Sequence, residues 1–397
     1  MANKLALNFI CKNESHVLPE MLESAKGITD LIVASDTGST DDSIAIIRGF
    51  GRANGIPTYV FERPFDNFGQ SRNFALQKLR ETVNTLGWDP KEVWGYWFDC
   101  DEVLFVNERF DKASLKEDFY VVEGFAYDVR FLRGSLFNLG RNFEWYGPIH
   151  EKLVVKKEKL KATFLSGLSF KCENKGHSWQ GDIAKKYLNY VDGLKDMLNT
   201  EYADRWLFYI GESYKIAAQH TDDADTKTQL YQQAINYFLE VIRLNTPNSE
   251  FVFYSHFQLA WIAKASGHRW AEVWCGFMDA FSVDTQRGEP IKAIITGFMD
   301  SEQWAMAYIF SGYAMRHYAG KSPYPRKSLL VDEKFYAWQV LDMHSMICYH
   351  LGKTDETLQT FRELLKVSKA HPEFFTEGEL QGIKAKEESI AHVEYVA

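Results

Sequence analysis

The stretch WGYWFDCDEVLF, residues 94–105, decides how the first half of the chain is read. Aromatic and apolar positions lead into Asp99, Cys100, Asp101 and Glu102, and apolar residues resume at once. An ionised carboxylate beside a buried strand loses its hydration unless a partner compensates. Asp99 and Asp101 are two residues apart, a spacing that places both side chains on one face of a strand. At a strand's end such a pair presents oxygens to a hard divalent cation, Mg²⁺ or Mn²⁺, which keeps waters and bridges substrate phosphates. A lone D-x-D recurs by chance, and a solvated turn is the plainer alternative. The aromatic strand before it disfavours an exposed turn.

Working outward, residues 1–180 alternate strand-like and helix-like segments. LALNFIC, DLIVAS and PTYVFE read as buried strands. HVLPEMLESAKG, SIAIIRGFGRANG and FGQSRNFALQKLRETV read as helices, the last with Phe74, Leu76, Leu79 and Val83 on one face. This alternation predicts an α/β sheet with right-handed crossovers, in which ligands sit outside the carboxyl ends of the strands. DTGSTDDS (36–43) and the DCDE cluster both follow strands, so both are expected to face one crevice. Residues 120–175 carry short strand patterns between Gly-rich turns and read as an irregular β extension. Its lysines at 152, 156, 157, 159 and 161 form a solvated hairpin face or, in a sharper reading, an acceptor or phosphate contact.

From about residue 181 the strand signal disappears, giving expected domains of 1–180 and 181–397. WLFYIGESYKIAAQ followed by YQQAINYFLEVIRLNTPNS resembles one tetratricopeptide unit, with Gly211 and Tyr214 in its first helix, Ala234, Phe238 and Val241 in its second, and Pro247 closing it. The link HTDDADTKT is long for that repeat. Residues 253–281 and 337–367 are looser copies, and GKSPYPRKSLL (320–330) is a loop within the array. Such units bury their apolar faces only against neighbours and present concave surfaces to macromolecules.

The 397 residues exceed one ordinary core, and the 46% apolar and 25% charged fractions are those of a globular protein. A net charge of −9 counts against broad phosphate-backbone binding, although a local basic groove with stacking aromatics stays open. Five scattered cysteines, at 11, 100, 172, 275 and 348, form no C-x-x-C pair. That pattern argues against a disulfide framework or a structural zinc site and for a reducing compartment. The first residues lack a signal-peptide pattern and no apolar run approaches the ~18 residues of a membrane span, so a cytoplasmic protein is expected.

Five motifs in order carry a resemblance: NE (13–14), SDTGSTDDS (35–43), FDNFGQSRNFAL (65–76), FDCDEVL (98–104) and GPIHEKL (147–153). Together they resemble the family-2 glycosyltransferases, over about residues 4–180. A helical repeat tail occurs in the same subgroup, and a similar architecture belongs to the peptide S-glycosyltransferases that modify bacteriocin cysteines. The resemblance implies a GT-A nucleotide-sugar-binding fold and a nucleotide-sugar donor. It places Asp36, with Gly38 and Ser39, at the nucleobase or ribose, and Asn13 and Glu14 beside the nucleoside. Asp99 would approach the ribose or a metal-bound water, Asp101 would hold Mn²⁺ or Mg²⁺ on the diphosphate, and Arg72 with Asn73 would face sugar or phosphate. The sequence departs from the pattern at Cys100, where a small residue is usual, and in the wording of VASDTGS.

Family resemblance also implies inversion, which needs a base opposite the leaving group. Glu151 is the first candidate and Asp128 the second; for Glu151 a structural ion pair is the bland alternative. His177, in NKGHSW, is the candidate third metal ligand, against the usual satisfied structural histidine. Cys100, between carboxylates, has its thiolate disfavoured and is no nucleophile. Two other classes compete: an inactive scaffold that binds nucleotide or protein through the repeats, and a nucleotidyltransferase. A peptide or protein, a glycan and a modified nucleic-acid base all remain open as acceptor, and a homo-oligomer through the repeats is compatible with such an array.

Overall fold

The computed structural model describes residues 3–396 apart from 127–128, 157–159, 174, 177–180, 245–248 and 323–329. Asp128, His177, Lys157, Lys159 and Pro247 therefore lie outside the described residues. The chain divides into two compact units, Met1–Ala234 and Ile235–Ala397.

The first unit opens with β1 (Lys4–Cys11), α1 (Leu18–Ala25), β2 (Leu31–Asp36), α2 (Ser43–Asn54), β3 (Thr58–Glu62), α3 (Phe68–Thr85) and β4 (Val93–Trp97). The strands run parallel in the order β3-β2-β1-β4. Every residue of β2 and β4 is buried, as expected for strands covered on both faces. Asn67 caps α3 by accepting from the Gln70 amide at 2.9 Å. Ala75, Leu76, Leu79 and Val83 turn that helix's apolar face to the sheet. Phe74 lies off that face, only partly buried, beneath the cations of Arg63 and Lys78.

The irregular extension continues this sheet with mixed polarity. It comprises β5 (Glu102–Val106), β6 (Phe119–Ala126), β7 (Val129–Asn138), β8 (Phe143–Tyr146), β9 (Lys152–Val155) and β10 (Thr163–Cys172). The order runs on from β4 through β7, β6 and β10 to β5. β7 is antiparallel to β4 and to β6, whereas β10 is parallel to β6. β8 and β9 form a separate hairpin. The decisive stretch is thus two strands, β4 and β5, joined by a turn at 98–101, rather than one strand carrying its carboxylates along a face.

Strands give way to helices between Cys172 and Ile183, where α4 (Ile183–Lys195) and α5 (Ala203–Gln219) begin. The first unit runs on to Ala234 because α5 is built into it. Trp206, fully buried, fills the space over Gly147, whose φ of 104° and missing side chain permit that approach. The Arg205 guanidinium donates to the His150 carbonyl at 3.0 Å. α6 (Ala224–Leu244) starts inside HTDDADTKT, so the connection is only residues 220–223 and the expected long link is absent.

The second unit holds α7 (Ser249–Ala265), α8 (Trp270–Val283), α9 (Glu289–Asp300), α10 (Trp304–His317), α11 (Val340–His350), α12 (Thr354–Ala370) and α13 (Glu377–Val396). From α7 to α12 each helix packs on its sequence neighbour, the arrangement of a helical array. A π-helical turn, Phe335–Gln339, leads into α11. Its core gathers Phe277, Ile294, Phe298, Phe335, Ile347 and Leu364. Among the described residues no helix is long and apolar enough to cross a membrane.

Trp206→Ala removes the side chain that ties α5 to the β8–β9 hairpin region. We expect a loss of about 3–5 kcal/mol in equilibrium denaturation, the cost of deleting a fully buried aromatic. A loss below about 1 kcal/mol would show that this contact does not hold α5 in place.

Candidate active site

β1, β2 and β4 run the same way, so the residues that follow them share one edge of the sheet. A cavity of about 430 Å³ opens there. Its wall includes Lys12 and Glu14 after β1, Thr37 after β2, Arg72 on α3, Asp99 to Glu102 after β4, Arg133 on β7 and Gly176. Phe65 and Phe68 add an aromatic rim, their rings 5.1 Å apart and edge-on.

Asp99 is the electrostatic centre. Its Oδ1 accepts from Arg72 Nη2 at 3.0 Å and from the Trp97 indole at 3.2 Å. Arg133 Nη1 stands 3.8 Å from its Oδ2. Burial opposes ionisation here, but the Arg72 and Arg133 guanidiniums outweigh it and hold the carboxyl below its ordinary range. Arg133 is locked in turn by Glu102, with Nη1 and Nη2 each 2.6 Å from one carboxylate oxygen, and lies 4.1 Å over the Phe170 ring. Glu102, 3% exposed, also accepts from the Cys172 thiol at 3.2 Å. Arg72 lies over the Trp97 and Trp145 rings, 4.3 and 5.0 Å from their centroids.

Asp101 is in a different situation. Its Oδ2 accepts from the Gly176 amide at 3.1 Å; among the described residues no guanidinium answers it, and only the positive charge of Lys186 acts on it from a distance. Burial, with Asp99 adding to it, raises its pKa. A methyl group added at Gly176 would lie 3.1 Å from Asp101 Oδ2 and 3.3 Å from Glu14 Oε1. Two carboxylates therefore converge on one small space that a Cβ would fill. Oxygen donors around such a space fit Mg²⁺ or Mn²⁺.

The other sequence candidates build the walls rather than line them. Asp36, 2% exposed, accepts from the Gly38 and Ser39 amides at 2.9 and 2.8 Å and shapes the turn after β2, with Gly38 at φ 110°. Ser39 Oγ accepts from the Asn13 amide at 2.9 Å, and Asn13 Oδ1 accepts from the Thr40 amide at 2.7 Å. These bonds clasp the ends of β1 and β2 together. Asn73 does the same for β8: its amide group exchanges two 2.8 Å bonds with the Trp145 backbone. Glu151, its side chain 7% exposed, stands 2.6 Å from Arg72 Nε as a charge contact rather than an aligned hydrogen bond. It is not among the residues that line the cavity. His150 is stacked on Tyr209 at 3.9 Å, and burial, then Arg205 and Lys186, lower its pKa to about 3. The Cys100 thiol is pushed well up, first by burial and then by neighbouring anions. Sequence reading missed Arg133 and Glu102 as site residues, because nothing local marks a strand arginine as the partner of a glutamate 31 positions away.

No known protein-family model matches the chain. It is similar to the SPbeta prophage-derived glycosyltransferase SunS of Bacillus subtilis strain 168 and to glycosyltransferase SunS of Bacillus phage SPbeta. Each is 22% identical over 236 residues, a match covering 56% of this chain. The chain spans about half, 51%, of the length of these curated relatives. Among solved structures, S. aureus TarS aligns at 12% identity and a TM-score of 0.35, over 65% of this chain and 53% of that one. MamA aligns at 11% identity and a TM-score of 0.33, over 50% of this chain and 97% of that one. At these scores the structural likeness carries no weight for fold or chemistry.

The two aspartates should respond oppositely to neutralisation. A carboxyl with a depressed folded pKa contributes stability above its unfolded pKa, lost as pH falls through the folded value; one with a raised pKa costs stability as pH rises from the unfolded to the folded value. In metal-free buffer at pH 7 we expect Asp99→Asn to lower the melting temperature and Asp101→Asn to leave it unchanged or raise it. Thermal melts with chelator present check this, and a large loss in Asp101→Asn would contradict the assignment.

Proposed function

We propose that the chain is a metal-dependent glycosyltransferase that moves a sugar from a nucleotide-sugar donor to an acceptor, with inversion. The observation that carries this is the pairing of Asp101 and Glu14 around one small space, beside the arginines at Asp99. The similarity to a curated glycosyltransferase over 236 residues supports the same reaction class.

Loss of a nucleoside diphosphate builds negative charge on the leaving group, so catalysis needs preorganised positive charge there. Asp101, with Glu14 across from it, would hold the divalent cation, which when bound supplies positive charge against the diphosphate. Arg72 and Arg133 place guanidinium N–H donors at the cavity wall. Asp99 holds one face of each, and Glu151 on Arg72 Nε and Glu102 on Arg133 complete their pairing, so the positive charge the leaving group needs comes chiefly from the cation. Lys12, also on the wall, adds an ammonium. The Phe65–Phe68 rim offers apolar faces to the nucleoside or the sugar.

Inversion in one displacement calls for a base opposite the leaving group to take the acceptor's proton. Glu151 is engaged with Arg72, and in this reading it positions that guanidinium. The proton then falls to another group, for which Asp128, between β6 and β7 in the sequence, is the candidate. The helical unit is suited to a macromolecular acceptor.

Hydrolysis of a nucleotide sugar, followed as release of nucleoside diphosphate with Mn²⁺ present, tests the proposal. We expect Asp101→Ala to lower the rate by about 10²-fold or more. Full activity in that variant would remove Asp101 from the mechanism, and release of pyrophosphate would point to nucleotidyl transfer.

A further inference from the structure

The helical unit carries a cluster that sugar transfer does not use. His344 and Cys348 are four residues apart on α11 and so face the same side. The first turn of α12 brings Glu356 to them. His344 Nε2 is 3.6 Å from Cys348 Sγ and 3.1 Å from Glu356 Oε1. The three ligand atoms all lie within 4.8 Å of one another. A tetrahedral zinc ion, about 2.3 Å from sulfur and roughly 2.0–2.2 Å from nitrogen or oxygen, holds its ligand atoms roughly 3.3–3.6 Å apart. The two spacings measured from His344 come close to that edge length.

The surroundings aim these donors. Ser311 Oγ is 2.8 Å from His344 Nδ1 and also 3.2 Å from the Tyr308 carbonyl. The assignment that satisfies both contacts has Ser311 donating to the carbonyl and accepting from Nδ1–H. The Nε2 lone pair then points at Cys348 and Glu356. Tyr308 donates to the Glu356 carboxylate at 3.0 and 2.9 Å, and Lys353 Nζ stands 3.5 Å from Oε2, so Oε1 is turned toward the imidazole. The Nε2 lone pair, a carboxylate oxygen and a sulfur converge on one place, His344 and Cys348 buried and Glu356 partly exposed, where a cation would replace the weak thiol contact between Sγ and Nε2. A ring nitrogen oriented through its second N–H and a carboxylate held by outer hydrogen bonds are the usual support of a metal site.

We propose that His344, Cys348 and Glu356 form a zinc site. Its fourth position opens on the cavity of about 450 Å³ that His344 and Glu356 line together with Gln359 and Glu363. The mixed nitrogen, sulfur and oxygen donors favour Zn²⁺ over Mg²⁺ or Mn²⁺, and the site is independent of the cation held by Asp101.

The full chain, stripped with chelator, is titrated with Co²⁺ as the spectroscopic probe and then with Zn²⁺. We expect thiolate-to-cobalt charge-transfer absorption that saturates at one equivalent and is bleached by Zn²⁺. Cys348→Ser should abolish that band, and Asp101→Asn should retain it, which separates this site from the thiols near the sheet. Ser311→Ala keeps all three ligands and should weaken cobalt affinity about 10–100-fold with the circular dichroism spectrum unchanged. Absence of the band in the wild-type chain, or an undiminished band in Cys348→Ser, overturns the proposal and leaves a plain hydrogen bond between His344 Nε2–H and Glu356.

Discussion

Five partly or fully buried charges at the end of β4 set the constraint on which the first unit depends. Asp99 in the turn, Arg72 on α3, Arg133 on β7, Glu102 at the start of β5 and Glu151 before β9 form one connected network. Ion pairs of this kind add little net stability, because desolvation offsets their attraction. Losing one member is another matter, since it strands the others without water. The network therefore acts on geometry. β7 lies beside β4, where Arg133 meets Glu102, and the first turns of α3 face the sheet edge so that Arg72 meets Asp99.

That constraint divides the labour of the two aspartates. Asp99 is turned toward cations the protein itself supplies, and its carboxyl is held below its ordinary range. Asp101 has no ion pair among the described residues, with only the more distant positive charge of Lys186 acting on it, and stands with Glu14 at Gly176, where a side chain would not fit freely. A residue that is costly in the protein alone, and relieved by a ligand, is the usual mark of a functional position. The same contrast separates the clasping polar residues from the site. Asn13, Asp36, Ser39 and Asn73 have their hydrogen bonds satisfied by backbone or side chains of the wall.

The alternation of the first four strands and three helices was legible because each element follows the period of its burial: LIVASD is buried throughout, and α3 repeats its apolar residues every three or four positions. The aspartates after β4 were legible by type, though a turn rather than a strand face sets their geometry. Arg133, Glu102 and the clasp of Asn73 on Trp145 were not legible, because pairing across 31 and 72 positions leaves no local pattern. The order β4-β7-β6-β10-β5 was hidden for the same reason: short alternating strands do not name their neighbours. In the helical unit, α9 and α10 carry no repeat signature, and Glu356 joins His344 and Cys348 only because α12 folds back on α11.

The central claim is that the space between Asp101 and Glu14 holds a divalent cation on which nucleotide-sugar binding depends. Isothermal titration of the wild-type chain with UDP-, GDP-, CMP- and TDP-linked sugars, in Mn²⁺ and again in EDTA, tests it most directly. The account predicts that one nucleotide class binds with Mn²⁺ and that chelation abolishes or greatly weakens the binding. Equal affinity in EDTA, or no binding of any class with the metal present, would contradict it.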